Sequence, residues 1–207
     1  MSQYTRNPPL TRAELDADPM RQLERWIADA RDAGMIEPTA MTLATATPEG
    51  RPAARIVLFK GLDDGQPTFF TNMASRKGRA LADNPFAALV FWWDRLERQV
   101  RVEGRVTPLP RATNEAYFAK RPRVSQVAAA VSAQSERIAS RDDLDARMAE
   151  AEARFGDEPV PCPEHWGGYR LAPDLVEFWQ GRLGRAHDRL QYEAAAGGGW
   201  EIVRLQP

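Results

Sequence analysis

The chain has 207 residues, 43% of them hydrophobic, a size and composition that suit one domain with a real core. Its net charge of −1 argues against nucleic acid as the main partner, and no run approaches the ~20 apolar residues of a membrane-spanning helix. The single cysteine, Cys162, excludes an internal disulfide and a multi-cysteine metal site, and points to a reducing compartment, the cytoplasm.

Residues 1–18 are polar and proline-punctuated, without the apolar run of a signal peptide, and read as an arm or lid. Residues 19–207 read as one domain. Asp18-Pro19 is a helix start, with Asp as N-cap and Pro at the first helical position; Leu23, Trp26, Ile27 and Ala30 follow at helical spacing to about Gly34. Strands are expected at 39–47, 53–61 and 67–72, with a turn at Pro48-Glu49-Gly50 and a hairpin at Asp64-Gly65. Ser75 caps a short helix that Asn84-Pro85 ends. "FAALVFWWD" (86–94) is almost continuously apolar, a strand buried on both faces or placed at an interface. "RQVRVEGRVTPL" (98–109) alternates like a half-exposed strand.

Helices are expected at 111–121, 124–131 and from a capping-box-like Ser140/Asp143 to about Phe155. After a proline-rich loop, strands are expected at 168–172, 175–181, 185–193 and 200–205. Strands joined by short hairpins, with helices inserted between some, predict a mainly β fold: a β-barrel core with peripheral helices. Glycine fingerprints for dinucleotides or nucleoside triphosphates are absent.

Four clusters carry candidate chemistry. In "RIVLFK", Arg55 and Lys60 fall on opposite faces of a regular strand, so either a bulge or two different ligands would reconcile them. In "FFTNMASRKGRA", Thr71, Ser75, Arg76 and Lys77 gather where a strand end meets a helix N-terminus, a combination of free N–H groups, helix dipole and cations that suits a phosphate. In "YFAKRPRVSQ", Tyr117 and Arg121 share a helix face and Ser125 follows Pro122, which suits a second phosphate. In "RAHDR", Arg185, His187 and Arg189 project to one face if the segment is a strand, and that row needs an anion or water to be tolerated. Two histidines, one cysteine and no HExxH leave no standard metal site, and no nucleophile–base pair is evident. Side chains that bind anions but supply no hard chemistry fit a protein whose organic cofactor does the chemistry. The chain has only three lysines, Lys60, Lys77 and Lys120, and the first two are among the candidates singled out in these clusters.

Together with "LERQVRVEG", "SAQSERI", "WGGYR", "VEFWQG" and "VRLQP", these blocks occur in the order found in pyridoxamine 5'-phosphate oxidases, and the chain resembles that family from about residue 19 to 207. The resemblance implies an FMN-binding split β-barrel and a homodimer with FMN at the subunit interface. It implies cofactor contacts from Arg55, Ile56, Val57, Leu58, Phe59, Lys60, Phe70 and Thr71. It adds Arg76, Lys77, Gln99, Gln134, Ser135, Trp179 and Arg189 to them. It implies a substrate-phosphate pocket of Lys60, Tyr117, Arg121 and Ser125, and it gives Arg185 and His187 as the catalytic pair that holds the substrate ring. The implied reaction oxidises pyridoxamine or pyridoxine 5'-phosphate to pyridoxal 5'-phosphate, with dioxygen reduced to hydrogen peroxide. Two other readings share the fold: a flavin oxidase acting on a phenazine precursor, and a non-catalytic flavin or pyridoxal-phosphate binding protein. Both have less use for these residues as a set.

Three positions depart from the family pattern. Ala186 stands where the family usually has Leu; strand alternation would point it away from the ligand and alter packing only. Phe70 replaces a frequent Tyr, and Tyr4 only approximates the family's lid tyrosine.

Overall fold

The computed structural model describes residues 7–207; Tyr4 lies outside them. Helix α1 (Pro19–Asp32) starts as expected, with the Asp18 carboxylate accepting from the Met20 N–H at 2.8 Å. Its apolar stripe of Leu23, Trp26, Ile27 and Ala30 is buried, and Trp26 meets Phe178 edge-on at 5.0 Å.

Strands β1 (Ala40–Ala46), β2 (Pro52–Leu58), β3 (Leu62–Asp63), β4 (Gln66–Asn72), β5 (Phe86–Trp93) and β6 (Arg98–Pro108) are followed by β7 (Trp166–Gln180), β8 (Asp188–Ala194) and β9 (Trp200–Arg204). All pair antiparallel, in the order β2-β1-β5-β6-β7-β4-β3. The chain leaving β2 closes the ring: the Lys60 N–H donates to the Thr68 carbonyl at 2.9 Å and the Thr68 N–H to that of Gly61 at 3.0 Å. The barrel is split along β7. Its first residues pair with β4, while its last pair with β8, and β9 extends from there.

β7 was expected as two strands and is one. The register with β6 slips between Glu103 and Gly104, leaving Asp174 as the extra residue of a bulge beside Pro173. A bulge is one of the few places a sheet tolerates proline, and the same Pro-Asp pair reads as a break in sequence. β5 resolves the two expectations for its apolar run. Its inward residues, among them Leu89, Phe91 and Trp93, are buried, but outward Phe86 and Trp92 are 52% and 45% exposed. One apolar face of β5 is therefore open in the single chain.

Helix α2 (Arg76–Asp83) follows β4, and α3 (Arg111–Ala119), α4 (Arg123–Val131) and α5 (Arg141–Phe155) lie between β6 and β7. The Ser140 hydroxyl caps α5 by accepting from the Asp143 N–H at 3.0 Å. α3, α4 and α5 cover a small second core of Phe118, Val127, Ala151, Val160 and Trp166, beside the barrel's own. Among the described residues, no helix is long and apolar enough to cross a membrane.

The β6–β7 bulge requires Gly104. A Cβ there would stand 2.0 Å from the Ala172 carbonyl oxygen, a backbone atom. Gly104→Ala is expected to lower stability by ~1–3 kcal/mol, read as a fall in urea midpoint at unchanged slope.

Candidate functional site

A cavity of about 630 Å³ opens between the end of β2, the end of β4 and helices α3 and α4. β2 and the residue beyond its turn contribute Ile56, Val57, Leu58 and Lys60. Phe70, Thr71 and Lys77 come from β4 and α2, and Gln134 from the loop after α4. Tyr117, Arg121 and Ser125 come from α3 and the start of α4. In a chain with 29 acidic residues, no Asp or Glu is among the described residues lining this cavity, whereas Lys60, Lys77, Lys120 and Arg121 all do.

One end is built around Lys77. Its ammonium donates to Gln134 Oε1 at 2.6 Å, Thr71 Oγ1 at 3.1 Å and Ser75 Oγ at 3.3 Å, all neutral acceptors. Among the described residues, Arg55 likewise donates to neutral oxygens, the Leu43 carbonyl and Thr45 Oγ1, each at 2.9 Å. Burial, and then repulsion from Arg55, lowers the Lys77 pKa; burial and Arg76 lower that of Arg55. Three cations thus crowd one point without a counter-ion among the described residues. The expected free N–H groups of the α2 N-terminus are in part taken: Arg76 N–H donates to Ser135 Oγ at 3.1 Å and Gly78 N–H to Ser75 Oγ at 3.4 Å. Attraction for an anion therefore comes chiefly from side chains here. Ser135 holds a φ of 79°, a costly conformation for a non-glycine residue that its surroundings must enforce.

The other end is built around Arg121. Helix α3 stops at Ala119, short of the expected 121, yet Tyr117 and Arg121 still reach the same cavity. The Arg121 guanidinium lies 4.9 Å over the Trp166 ring, and one of its terminal nitrogens is buried without a hydrogen-bond partner. An unsatisfied buried guanidinium nitrogen is the mark of a missing acceptor. Tyr117 stacks on Phe70 at 4.0 Å, and Phe70 on Trp166 at 5.3 Å, giving the cavity an aromatic wall. A Cβ at Gly168 would stand 2.6 Å from the Phe70 ring, which accounts for the second glycine of "WGGYR".

The remaining candidates form a second group away from this wall. Gln99, Trp179 and Arg189 are direct cross-strand neighbours on β6, β7 and β8. His187 packs on Trp179 at 4.5 Å. The expectation that Arg185, His187 and Arg189 share a strand face is corrected: β8 begins only at Asp188. Arg185 ends a 3-10 turn over Leu183–Arg185 with φ of 63°, next to Gly184 at 69°. Ala186 is exposed outside the strand, so the alternation expected of it does not apply. The His187 pKa is lowered, first by burial and then by Arg185. Its Nδ1 accepts from the Arg182 N–H at 3.1 Å, which assigns the proton of the neutral ring to Nε2. Phe59 turns into the core against Phe91 and does not line the cavity.

Several participants were not singled out in sequence. Glu177 is 2% exposed and grips Arg189 with both oxygens, at 2.8 and 3.0 Å, while also accepting from Arg101 at 2.9 Å. That bond raises the Arg189 pKa. Period-two alternation in "RQVRVEG" and "VEFWQG" places Arg101 with Gln99 and Glu177 with Trp179, and was the available signal. Trp166, Lys120 and Asn72 also line the cavity, and Trp92 approaches Trp179 at 5.9 Å.

A family model described as pyridoxamine 5'-phosphate oxidase matches residues 27–155, and one described as pyridoxine 5'-phosphate oxidase C-terminal dimerisation region matches 166–207. The chain is 53% identical to a pyridoxine/pyridoxamine 5'-phosphate oxidase of Rubrobacter xylanophilus, over 99% of this chain and 94% of that one. A protein of the same name from Cupriavidus necator is 54% identical, over 96% and 93%. Among solved structures, PhzG from Burkholderia lata 383, in complex with tetrahydrophenazine-1-carboxylic acid, is similar with a TM-score of 0.89. It is 34% identical, over 96% of this chain and 98% of that one. A pyridoxamine 5'-phosphate oxidase-related, FMN binding protein from Nostoc punctiforme shares the fold, with a TM-score of 0.72 at 19% identity over 87% and 95%.

The depressed Lys77 pKa sets a pH dependence. The ammonium is lost below the ordinary value of 10.5, so affinity for a phosphate dianion falls as pH rises through the lowered pKa. Stability of the ligand-free chain moves the other way: between the two pKa values the unfolded state binds more protons, and folding gains with pH. Equilibrium dialysis with FMN at a series of alkaline pH values below the ordinary lysine pKa is expected to show Kd rising by at most about tenfold per pH unit. Lys77→Arg, which keeps its charge, flattens the profile.

Proposed function

The chain belongs to the pyridoxamine 5'-phosphate oxidase family, and we propose that it oxidises pyridoxamine and pyridoxine 5'-phosphate to pyridoxal 5'-phosphate with FMN as cofactor. The observation that carries this is a cavity with no carboxylate among its described lining and with cations at both of its ends, one of them with a buried guanidinium nitrogen lacking an acceptor among the described residues. Such a cavity fits two phosphate-bearing ligands. When bound, FMN supplies the two-electron acceptor that these side chains lack. With the amine substrate, dioxygen and water complete the reaction, which yields pyridoxal 5'-phosphate, ammonia and hydrogen peroxide.

The protein's part is positioning. Arg55, Thr71, Arg76, Lys77, Gln134 and Ser135 hold the cofactor phosphate. Ile56, Val57 and Leu58 give an apolar wall, with Phe70 and its stacked neighbours opposite in the same cavity. Lys60, Tyr117, Arg121 and Ser125 hold the substrate phosphate. Gln99, Trp179, Arg185, His187 and Arg189 act from a second copy of the chain, across an interface that brings them to this cavity. Two observations support that arrangement: none of the five lines the cavity of its own chain, and four of them fall within the dimerisation region. The open apolar face of β5, with Trp92, offers surface for the contact. His187, neutral near pH 7 with its proton on Nε2, can donate to a polar substituent of the pyridine ring.

A phosphorylated substrate is favoured over a phenazine precursor by the convergence of Tyr117, Arg121 and Ser125 on one end of the cavity. The purified protein is expected to be yellow, and to convert pyridoxamine 5'-phosphate under air with stoichiometric peroxide. A flavin-loaded protein that turns over neither phosphorylated vitamer rules the oxidase out. Arg121→Ala is expected to raise KM by about 10- to 100-fold with FMN retained, the loss of a charged hydrogen bond, while Lys77→Ala releases FMN first. Equal loss of both ligands in both variants would sink the two-phosphate arrangement.

A further inference from the structure

All three lysines of the chain line the same cavity, in a protein that otherwise uses arginine for positive charge. Lys60 and Lys77 stand in the two phosphate clusters. Lys120 lies within the block "YFAKRPRVSQ" but is not among its phosphate candidates, and the family resemblance gives it no role. It sits at the C-cap of α3, between Tyr117 and Arg121, with its backbone N–H donating to the Tyr117 carbonyl at 3.1 Å. That position fixes where its side chain starts. A cation there is also what a helix C-terminus favours, which would be the whole account if the side chain faced open solvent. Although exposed, Lys120 also lines a cavity whose described lining contains no carboxylate, together with Lys60 and Arg121.

An exposed ammonium beside a half-buried guanidinium serves a different purpose from the guanidinium. Arg121, partly desolvated and stacked on Trp166, offers directed hydrogen bonds to an anion already in place. Lys120, exposed and on a flexible stem, adds positive potential at the approach to that anion without needing a fixed geometry.

We propose that Lys120 is a further specificity-determining residue of the cavity, one that favours phosphorylated over unphosphorylated pyridines; this rests on the substrate reading given above. The contribution is electrostatic and long in range, so it fades with salt, unlike the contacts of Arg121.

Calorimetric titration of the FMN-loaded protein tests this with 4-deoxypyridoxine 5'-phosphate, which lacks the oxidisable C4' substituent, and with its unphosphorylated counterpart. Lys120→Ala is expected to weaken the phosphorylated ligand about threefold to tenfold at about 20 mM salt and less than about twofold at about 500 mM. The unphosphorylated ligand is expected to bind equally to both proteins. Lys120→Arg restores the preference. Arg141→Ala, which removes a cation on exposed α5, leaves it in place. A wild-type preference for phosphate that survives Lys120→Ala undiminished overturns the role of Lys120 and leaves the substrate reading intact. A wild type without any such preference overturns the substrate reading, and Lys120 with it.

Discussion

Lys60, Lys77, Lys120 and Arg121 share one cavity with no carboxylate among its described lining, and like charges in such a place repel one another and resist burial. Folding therefore has to hold this end of the molecule against its own electrostatics. It does so with neutral dipoles. Gln134, Thr71 and Ser75 accept from the Lys77 ammonium, and a strand carbonyl and Thr45 accept from Arg55. A carboxylate would have stabilised the empty cavity more, but would also have competed with any anionic ligand. Neutral acceptors keep the cations in position while leaving their charge uncompensated.

The second group solves the opposite problem. Arg189 is clamped by the buried Glu177, which also takes Arg101, and Arg101 in turn meets Glu103 at 2.7 Å. These four residues sum to no net charge. His187 is kept neutral by burial and by Arg185. The row of three charges that seemed to need an anion is thus largely relieved within the protein. What this group offers is a tryptophan, an amide, an oriented imidazole and a guanidinium of fixed plane. Those are groups suited to rings and polar substituents rather than to phosphate.

Much of this was legible in the sequence, for physical reasons that differ from place to place. Hairpin-linked strands and the Asp18-Pro19 and Ser75 caps are local devices, and each appears where its residues put it. The long β7 was misread because Pro173-Asp174 breaks a strand in sequence and only bulges it in the sheet. The stretch before β8 was misread because alternating charges imitate a strand's period. The left-handed pair Gly184 and Arg185 instead turns the chain there, and nothing in the order of residues announces a positive φ at an arginine. Glu177 and Lys120 escaped notice because their importance lies in partners that only the tertiary fold supplies.

The division of charge between the two groups bears on the proposed arrangement, in which two copies of the chain complete one site. If both groups carried uncompensated cations, bringing them together from two copies would add repulsion to the cost of association. Because Glu177 and Glu103 offset Arg189 and Arg101 before any encounter, the second group can approach the cationic cavity with less of that penalty, and the apolar face of β5 can supply the driving force. Glu177 then matters twice: it fixes the plane of Arg189, and in the proposed arrangement it makes the surface bearing Arg189 compatible with the cavity of the second copy. Removing it would leave Arg101 paired to Glu103 and would take from Arg189 the carboxylate that balances its charge. The fault would be felt in assembly as well as in the local fold.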